Sequence, residues 1–412
     1  MKVLIIAALW PEPTSSAAGR RMVGLLELFH AQAWSLTYAS TAAQSEHCYP
    51  LESLGIQRKA IAVNDSAFNE MIIELSPDIV LYDRFMIEEQ FSWRVEKCCP
   101  QAMTILETSD LHCLRHARKD ALKQGRVYEE SDLINDVAYR EIASIQRTDL
   151  SLIISNYEMK ILTSVFKVGD RLIQYFPFIV EPKSIEQLVS TSPRYDERNG
   201  FMCIGNFKHP PNWDSVQYLK QTIWPLIRRQ LPTAELFVYG AYPPPKAMQL
   251  NNPSEGFYVK GRAVDAQKVI QQARVCLAPL RFGAGLKGKL LEAMECGTPS
   301  VTSSVGAEAM HANLPWNGGI HNQPEAFAEA AIELYQNKQK WQESQNNGFE
   351  ILRHCYSPAE FEPALLEEIN TIYNGLDKHR KQNFQGGMLK HHLMKSTKYM
   401  SLWIEAKNKG AE

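Results

Sequence analysis

Residues 278–310 read APLRFGAGLKGKLLEAMECGTPSVTSSVGAEAM, and the rest of the chain can be organised outward from them. The apolar run over 275–280 predicts a strand. A short loop with glycines at 283 and 285 follows, then an amphipathic helix to about residue 296, a strand over 300–303 and a glycine turn at Gly306. Glycines at a strand-to-helix junction let the backbone come close to a ligand, and the free N–H groups of a helix start attract anions. Arg281, Lys287 and Lys289 flank this junction. Lysines in a first helical turn oppose the macrodipole, which favours acids there. Such a broken local rule points to a bound phosphate or diphosphate; the alternative is a surface turn with solvated lysines.

The 412 residues are enough for two domains of ordinary size, and 45% apolar with 22% charged residues describes a globular chain with material for two cores. A formal net charge of −2 argues against a nucleic-acid partner. The opening MKVLIIAALWPEP could imitate a leader peptide, but its apolar run stops at Pro11, so it reads better as a first buried strand. No run approaches the ~18–20 apolar residues needed to cross a bilayer. Eight cysteines show no C-x-x-C pair and no zinc-like spacing with histidine, which fits reduced thiols in the cytoplasm.

Strand and helix patterns alternate throughout, the mark of parallel sheets. In the first half, strands are expected over 3–8, 35–39, 79–82, 102–106 and 152–155, with amphipathic helices such as 20–31 and 88–97 between them. The second half restarts at 201–205, followed by a helix to about 229 and strands over 235–239, 256–259, 275–280 and 300–303. The expected architecture is α/β: two doubly wound Rossmann-like domains facing across a cleft. The divisions are a first domain over 1–182, a polar linker over 183–199, a second domain over 200–375 and a basic tail over 376–412. In that tail Gly386-Gly387 is an expected break. Leu389, Leu393, Met400, Trp403 and Ile404 fall near one helical face, either lying on a membrane surface or packing back on the body.

The run G-x-G-x-K-x-K-x-x-E-A-M-x-x-G-x-P-S-V, from Gly283 to Val301, resembles the nucleotide-sugar motif of GT-B glycosyltransferases. The likeness is to the retaining bacterial group that builds surface polysaccharides (glycosyl transferases group 1, family 4-like). The resemblance implies that Glu292 takes the ribose hydroxyls of a nucleotide-sugar donor and that the loop with Gly283 and Gly285 cradles its diphosphate. Many members carry a further glutamate eight residues earlier, thought to contact the donor sugar. Here that position is Ala284, so the sugar contact is unassigned. GNFKHPPNWDSVQYL, from Gly205, resembles another family segment facing the donor. It offers Asn206, Lys208 and His209 as ligands, with Asn212 and Asp214 as helix caps.

The first domain should then hold the acceptor, a glycan or a lipid-linked one, in some contact with the inner face of a membrane. Gly19, after the first strand, is the expected backbone contact, with Arg20 as a nearby charge. In LETSDLHCLRHAR, Asp110 and His112 are placed to orient or deprotonate an acceptor hydroxyl; the alternative is a helix cap by Ser109 or Asp110. YDRFMIEEQ puts Asp83 and Arg84 after a third strand, where Arg84 is expected to pair locally with Glu88. There is no G-x-S-x-G, no P-loop, no H-E-x-x-H and no D-x-D, and the first strand lacks G-x-G-x-x-G. A cofactor-free, metal-independent donor site is therefore expected, with Arg281, the two lysines and helix N–H groups neutralising the leaving diphosphate. Two rivals remain: a non-catalytic nucleotide-sugar-binding subunit, suggested by Ala284, and a nucleotide-sugar epimerase on the same fold.

Overall fold

A computed structural model describes residues 1–181 and 185–409, without the side chains of residues 185 and 392–394. The first two linker residues, the Leu393 side chain and the last three residues of the tail lie outside the described residues. The first sheet has seven parallel strands in the order β3-β2-β1-β4-β5-β6-β7: β1 Lys2–Ala7, β2 Ser35–Ser40, β3 Gln57–Ala60, β4 Ile79–Asp83, β5 Met103–Glu107, β6 Leu150–Ile153 and β7 Ile173–Tyr175. The second has six in the order β10-β9-β8-β11-β12-β13: β8 Phe201–Ile204, β9 Leu236–Tyr239, β10 Phe257–Gly261, β11 Val275–Ala278, β12 Ser300–Thr302 and β13 Gly318–Ile320. Every pairing within them is parallel.

The central strands are apolar on both faces because helices cover both faces of each sheet. In β1, KVLIIA, only Lys2 is exposed. Val3, Ile5 and Ala7 pack into one core cluster, and Leu4 and Ile6 into the opposite one. The strands missing from the sequence reading are those at the rims. β3 is QRKA, mostly exposed, and its charges blunt a sheet edge; β7 and β13 are three residues each.

The chain crosses between the domains twice. It leaves the first after β7, and the stretch read as a linker contains a helix, Ile185–Thr191. It returns after the helix Lys338–Cys355, so that Leu365, Ile369 and Ile372 of helix Pro358–Asn374 join the β1 core cluster of the first domain. The crossings touch: Val180 N–H donates to the Tyr356 carbonyl at 2.9 Å, and the Tyr175 and Phe361 rings meet edge to face.

The tail packs back on the first domain. Its helix, Phe384–Lys409, lies against helices Phe85–Cys98 and Asp136–Arg147. Arg94, buried in the first of these, donates to Ser401 Oγ and to Glu405 at 3.3 Å each. Gly386-Gly387 is not a break, since the helix runs through it. Gly386 is there for close approach: a Cβ would stand 2.1 Å from the Gln146 carbonyl oxygen. Nor do the five expected residues form one packed face, because Met400 and Trp403 are exposed. Gly386→Ala should destabilise the docked helix by about 1–3 kcal/mol, the usual range for overpacking. Gly387→Ala, which meets nothing within 4 Å, should be neutral or stabilising by about 0.5–1 kcal/mol. Thermal melts of the two variants check this; a Gly386 variant as stable as wild type would show the helix free to move away.

Candidate functional site

In open α/β sheets, ligands bind beyond the carboxyl ends of strands where the strand order reverses. That point lies between β1 and β4 in the first sheet and between β8 and β11 in the second, and the four loops that follow these strands face one another. They enclose a cleft of about 500 Å³. Seven Arg or Lys side chains and four carboxylates line it, so the cleft is cationic in a chain whose net charge is negative.

On the second domain's side, helix Gly288–Glu295 starts at Lys287 with no side-chain cap and no acid in its first turn. Gly285 has φ +63°, and a Cβ there would come within 2.9 Å of Asp110 Cβ across the cleft. Glycine is needed for both reasons. Lys287 is buried and donates to the Gly285 carbonyl; burial pushes its ammonium down to about 8, against the pull of Glu308. Lys289 is half-buried and donates to Asn212 Oδ1 at 2.8 Å. A Cβ on Gly205 would stand 2.8 Å from the Lys289 ammonium, so this glycine makes room for the lysine. Asn206 ties the domains by donating to the Ser15 carbonyl at 3.3 Å. His209 is exposed at the cleft, yet enclosure between the domains and the nearby Arg115, Lys289 and Lys287 push its imidazole down to about 4, against Asp110.

Glu292 stands one turn into the helix and lines the cleft. Burial pushes its carboxyl up to about 7, and the nearest cation, Arg20, is 3.9 Å away. No hydrogen-bond donor meets this carboxylate among the described residues, which leaves it open to hydroxyl groups.

Several expectations change. Arg281 is not in the cleft: it forms a two-point pair with Asp214 and lies over the Tyr218 ring at 4.8 Å. Asp214 therefore anchors an arginine rather than capping a helix. The helix Pro210–Tyr218 begins at His209 without a side-chain cap, and Asn212 receives Lys289 and donates to the Asn206 carbonyl. Arg20 does not face the cleft either; it bridges the domains through Glu295 at 2.6 and 2.7 Å. Gly19 does line the cleft, but its N–H already donates to Ser16 Oγ, and a Cβ would collide with Glu12 backbone at 2.4 Å. It is a packing glycine at a helix start. The Gly285 N–H is likewise taken, by Glu158, and the Gly283 carbonyl by Arg118.

On the first domain's side, Asp110 and His112 line the cleft, but the geometry does not fit a proton-accepting aspartate. Burial would raise the Asp110 carboxyl; Arg115, hydrogen-bonded to it, with His112 and His209, holds it well below the usual carboxylate range. Burial pushes His112 down to about 3, with Asp110 opposing at 3.5 Å. A fixed anion beside a neutral imidazole can orient a hydroxyl, but neither is a strong base near neutrality. The alternative capping reading fails too. Helix His112–Lys123 starts at Leu111, and its first N–H groups go to Glu141, which accepts from His112 and Cys113 at 2.9 Å each.

Sequence reasoning missed two groups and misread a third. Glu158, fully buried, accepts from Leu111 N–H of its own domain and Gly285 N–H of the other, both at 2.8 Å, while Oε2 has no hydrogen-bond partner among the described residues. Burial pushes this carboxyl up to about 8. Arg118 joins the Gly283 carbonyl and Glu308 across the same seam. Arg84 has φ 73° and ψ 156°, a backbone region costly for any residue but glycine, of order 1–3 kcal/mol. Its expected partner Glu88 is instead buried with Arg147 and Ser144. S-N-Y-E and D-R-F-M carry no local signal for any of this, because the partners are distant in sequence.

Residues 198–337 match the model of the family described as glycosyl transferases group 1. No curated protein sequence matches the chain. Solved structures share its fold over nearly the whole length. Sucrose-phosphate synthase from Thermosynechococcus elongatus is similar with a TM-score of 0.66 at 15% identity, covering 91% of this chain and 100% of that one. A glycosyltransferase from Rickettsia africae gives 0.63 at 13%, covering 92% and 98%. The Anabaena protein HepE, solved in complex with UDP, gives 0.63 at 11%, covering 90% and 100%. The fold is GT-B.

The buried Glu158 makes stability depend on pH in a definite sense. Its carboxyl keeps its proton to about 8 in the folded chain, whereas an unfolded glutamate loses it near ~4.3. Folding is thus favoured fully below the unfolded value, and the advantage is lost as pH rises toward 8. Glu158→Gln keeps an oxygen for both amides and removes the titration. Its melting temperature should fall less than that of wild type between about pH 5 and about pH 8. Parallel curves would mean the carboxyl is ionised in the folded protein.

Proposed function

We propose that this chain is a glycosyltransferase that moves a sugar from a nucleotide-sugar donor, held by the second domain, to a glycan or lipid-linked acceptor held by the first. The observation that carries the reading is the uncapped, lysine-flanked start of helix Gly288–Glu295 with Glu292 open to the cleft, inside the segment that matches the family model. The donor diphosphate lies against the helix N–H groups, Lys287 and Lys289, and Glu292 takes the ribose hydroxyls. Charge developing on the leaving diphosphate is met by groups already in place, commonly the largest single contribution to catalysis. Because Asp110 is held ionised by Arg115, we assign acceptance of the acceptor proton to the leaving diphosphate itself. A proton acceptor on the leaving group's own face is compatible with retention.

We assign a metal-independent reaction, in which Lys287, Lys289 and the helix N–H groups meet the charge of the leaving diphosphate. No described helix is long and apolar enough to cross a membrane. Contact with a membrane carrying the acceptor is assigned to the tail helix, where Tyr399, Met400, Leu402 and Trp403 are exposed.

One observation favours a rival. Ala284 packs into the apolar cluster of the first domain, so the position that carries a sugar-contacting glutamate in many relatives supplies no carboxylate here. A binding subunit would then bind donor without turnover. Transfer or hydrolysis of a UDP-sugar by the purified chain separates the two, and analysis of the sugar product excludes an epimerase.

UDP should raise the melting temperature in proportion to RT ln(1 + [L]/Kd). Glu292→Gln should fold normally and bind UDP about 10- to 100-fold more weakly, the range for losing hydrogen bonds to a charged group. Unchanged affinity by calorimetry would remove Glu292 from the site. Transfer should persist in excess EDTA; a complete loss restored by magnesium would reveal a ligand set not recognised above.

A further inference from the structure

The function proposed above leaves Asp83 and Arg84 without a role, although they occupy the switch point of the first sheet and line the cleft. Asp83 ends β4 and is only 6% exposed, yet among the described residues the one cation paired with its carboxylate is Arg84, with Nε at 3.4 Å, while the like charge of Glu107 acts on it as well. A nearly buried carboxylate with so little hydrogen bonding is expensive unless a ligand completes it. Arg84 is under-used in the same way, since no protein acceptor meets its two terminal nitrogens among the described residues. The other buried or half-buried arginines nearby are all committed: Arg21 to Glu107, Arg115 to Asp110, Arg118 to Glu308 and Arg147 to Glu88.

The backbone keeps Arg84 in this position. Its N–H donates to the Glu107 carbonyl at 2.8 Å, and its carbonyl accepts from Ile87 and Glu88, despite the left-handed φ. The place is also right for an acceptor. Phe85 packs edge-on against His112, His112 faces Asp110, and Asp110 touches the donor loop at Gly285.

We propose that Asp83 and Arg84 form the acceptor subsite, and that it selects a saccharide bearing an anionic group, a phosphate or a carboxylate. The guanidinium fork takes the anion, for which its geometry is suited, and the Asp83 carboxylate accepts from a ring hydroxyl of the same sugar. This rests on the proposed function for the word acceptor, though the subsite itself can be measured without turnover.

The test uses the full chain saturated with UDP, so that the lysine cradle is filled, and titrates glucose, glucose 6-phosphate and glucuronate by calorimetry. Both anionic sugars should bind at least tenfold more tightly than glucose, and the stronger of the two identifies the anion. Arg84→Gln should abolish that preference without changing UDP affinity, and Asp83→Asn should weaken all three sugars alike. Arg84→Gly is the second variant: it relieves the backbone, so it should melt higher than wild type while losing the preference. Equal binding of the three sugars, or none, would overturn the proposal, as would an Arg84→Gln protein that still prefers the anions. Displacement of glucose 6-phosphate by UDP would place the anion in the donor cradle and overturn it too. A chain that ignores UDP yet prefers anionic sugars would sink the donor reading and leave this subsite standing.

Discussion

The two domains meet over a carboxyl group that neither could satisfy alone. Glu158 lies on the first domain, is sealed from water, and takes one amide from the turn after β5 and one from the glycine loop after β11. Those turns carry Asp110 on one side and the lysine-flanked helix start on the other. The spacing of the two cleft walls is thus set by two hydrogen bonds to a single oxygen. Burying a carboxyl is costly unless it stays protonated or well bonded; Glu158 keeps its proton, and one of its two oxygens takes both amides. Around it, Arg118 with Glu308 and Arg20 with Glu295 repeat the pattern of a charge on one domain answered by the other.

Charge within the cleft is arranged by use rather than by count. The chain as a whole is slightly acidic, but the walls facing the cleft are cationic, a distribution that draws anions toward the cleft. Some of these cations are fixed by acids and shape the walls, as Arg115 does with Asp110. Others donate their hydrogen bonds to neutral groups, as Lys287 and Lys289 do, and can exchange a carbonyl or an amide for a phosphate oxygen at small cost.

What could be read from the sequence follows the same division. The apolar central strands, their alternation with helices and the Gly283–Val301 motif are local patterns, and they pointed to the two parallel sheets and to Lys287, Lys289 and Glu292 on the cleft wall. The polar edge strand β3 was invisible because an edge needs no apolar run. Arg281 and Arg20 were misplaced because charge next to a motif says nothing about which partner, Asp214 or Glu295, lies within reach in space. Glu158 was overlooked, and Arg84 was given the wrong partner, because their meaning depends on residues far along the chain. Gly386 was misread for the same reason: a glycine that admits a neighbouring carbonyl looks like one that ends a helix.

The double crossing between the domains has a mechanical consequence. A pair of domains joined by one flexible segment can twist as well as gape. Here two segments run side by side and are bonded to each other through Val180 and Tyr356, with Tyr175 against Phe361 beside them. Such a pair acts as a leaf hinge, stiff to torsion and compliant only in bending. A bend about this hinge would swing the glycine loop away from Glu158 and return it along the same arc, so that the two turns would meet again in register.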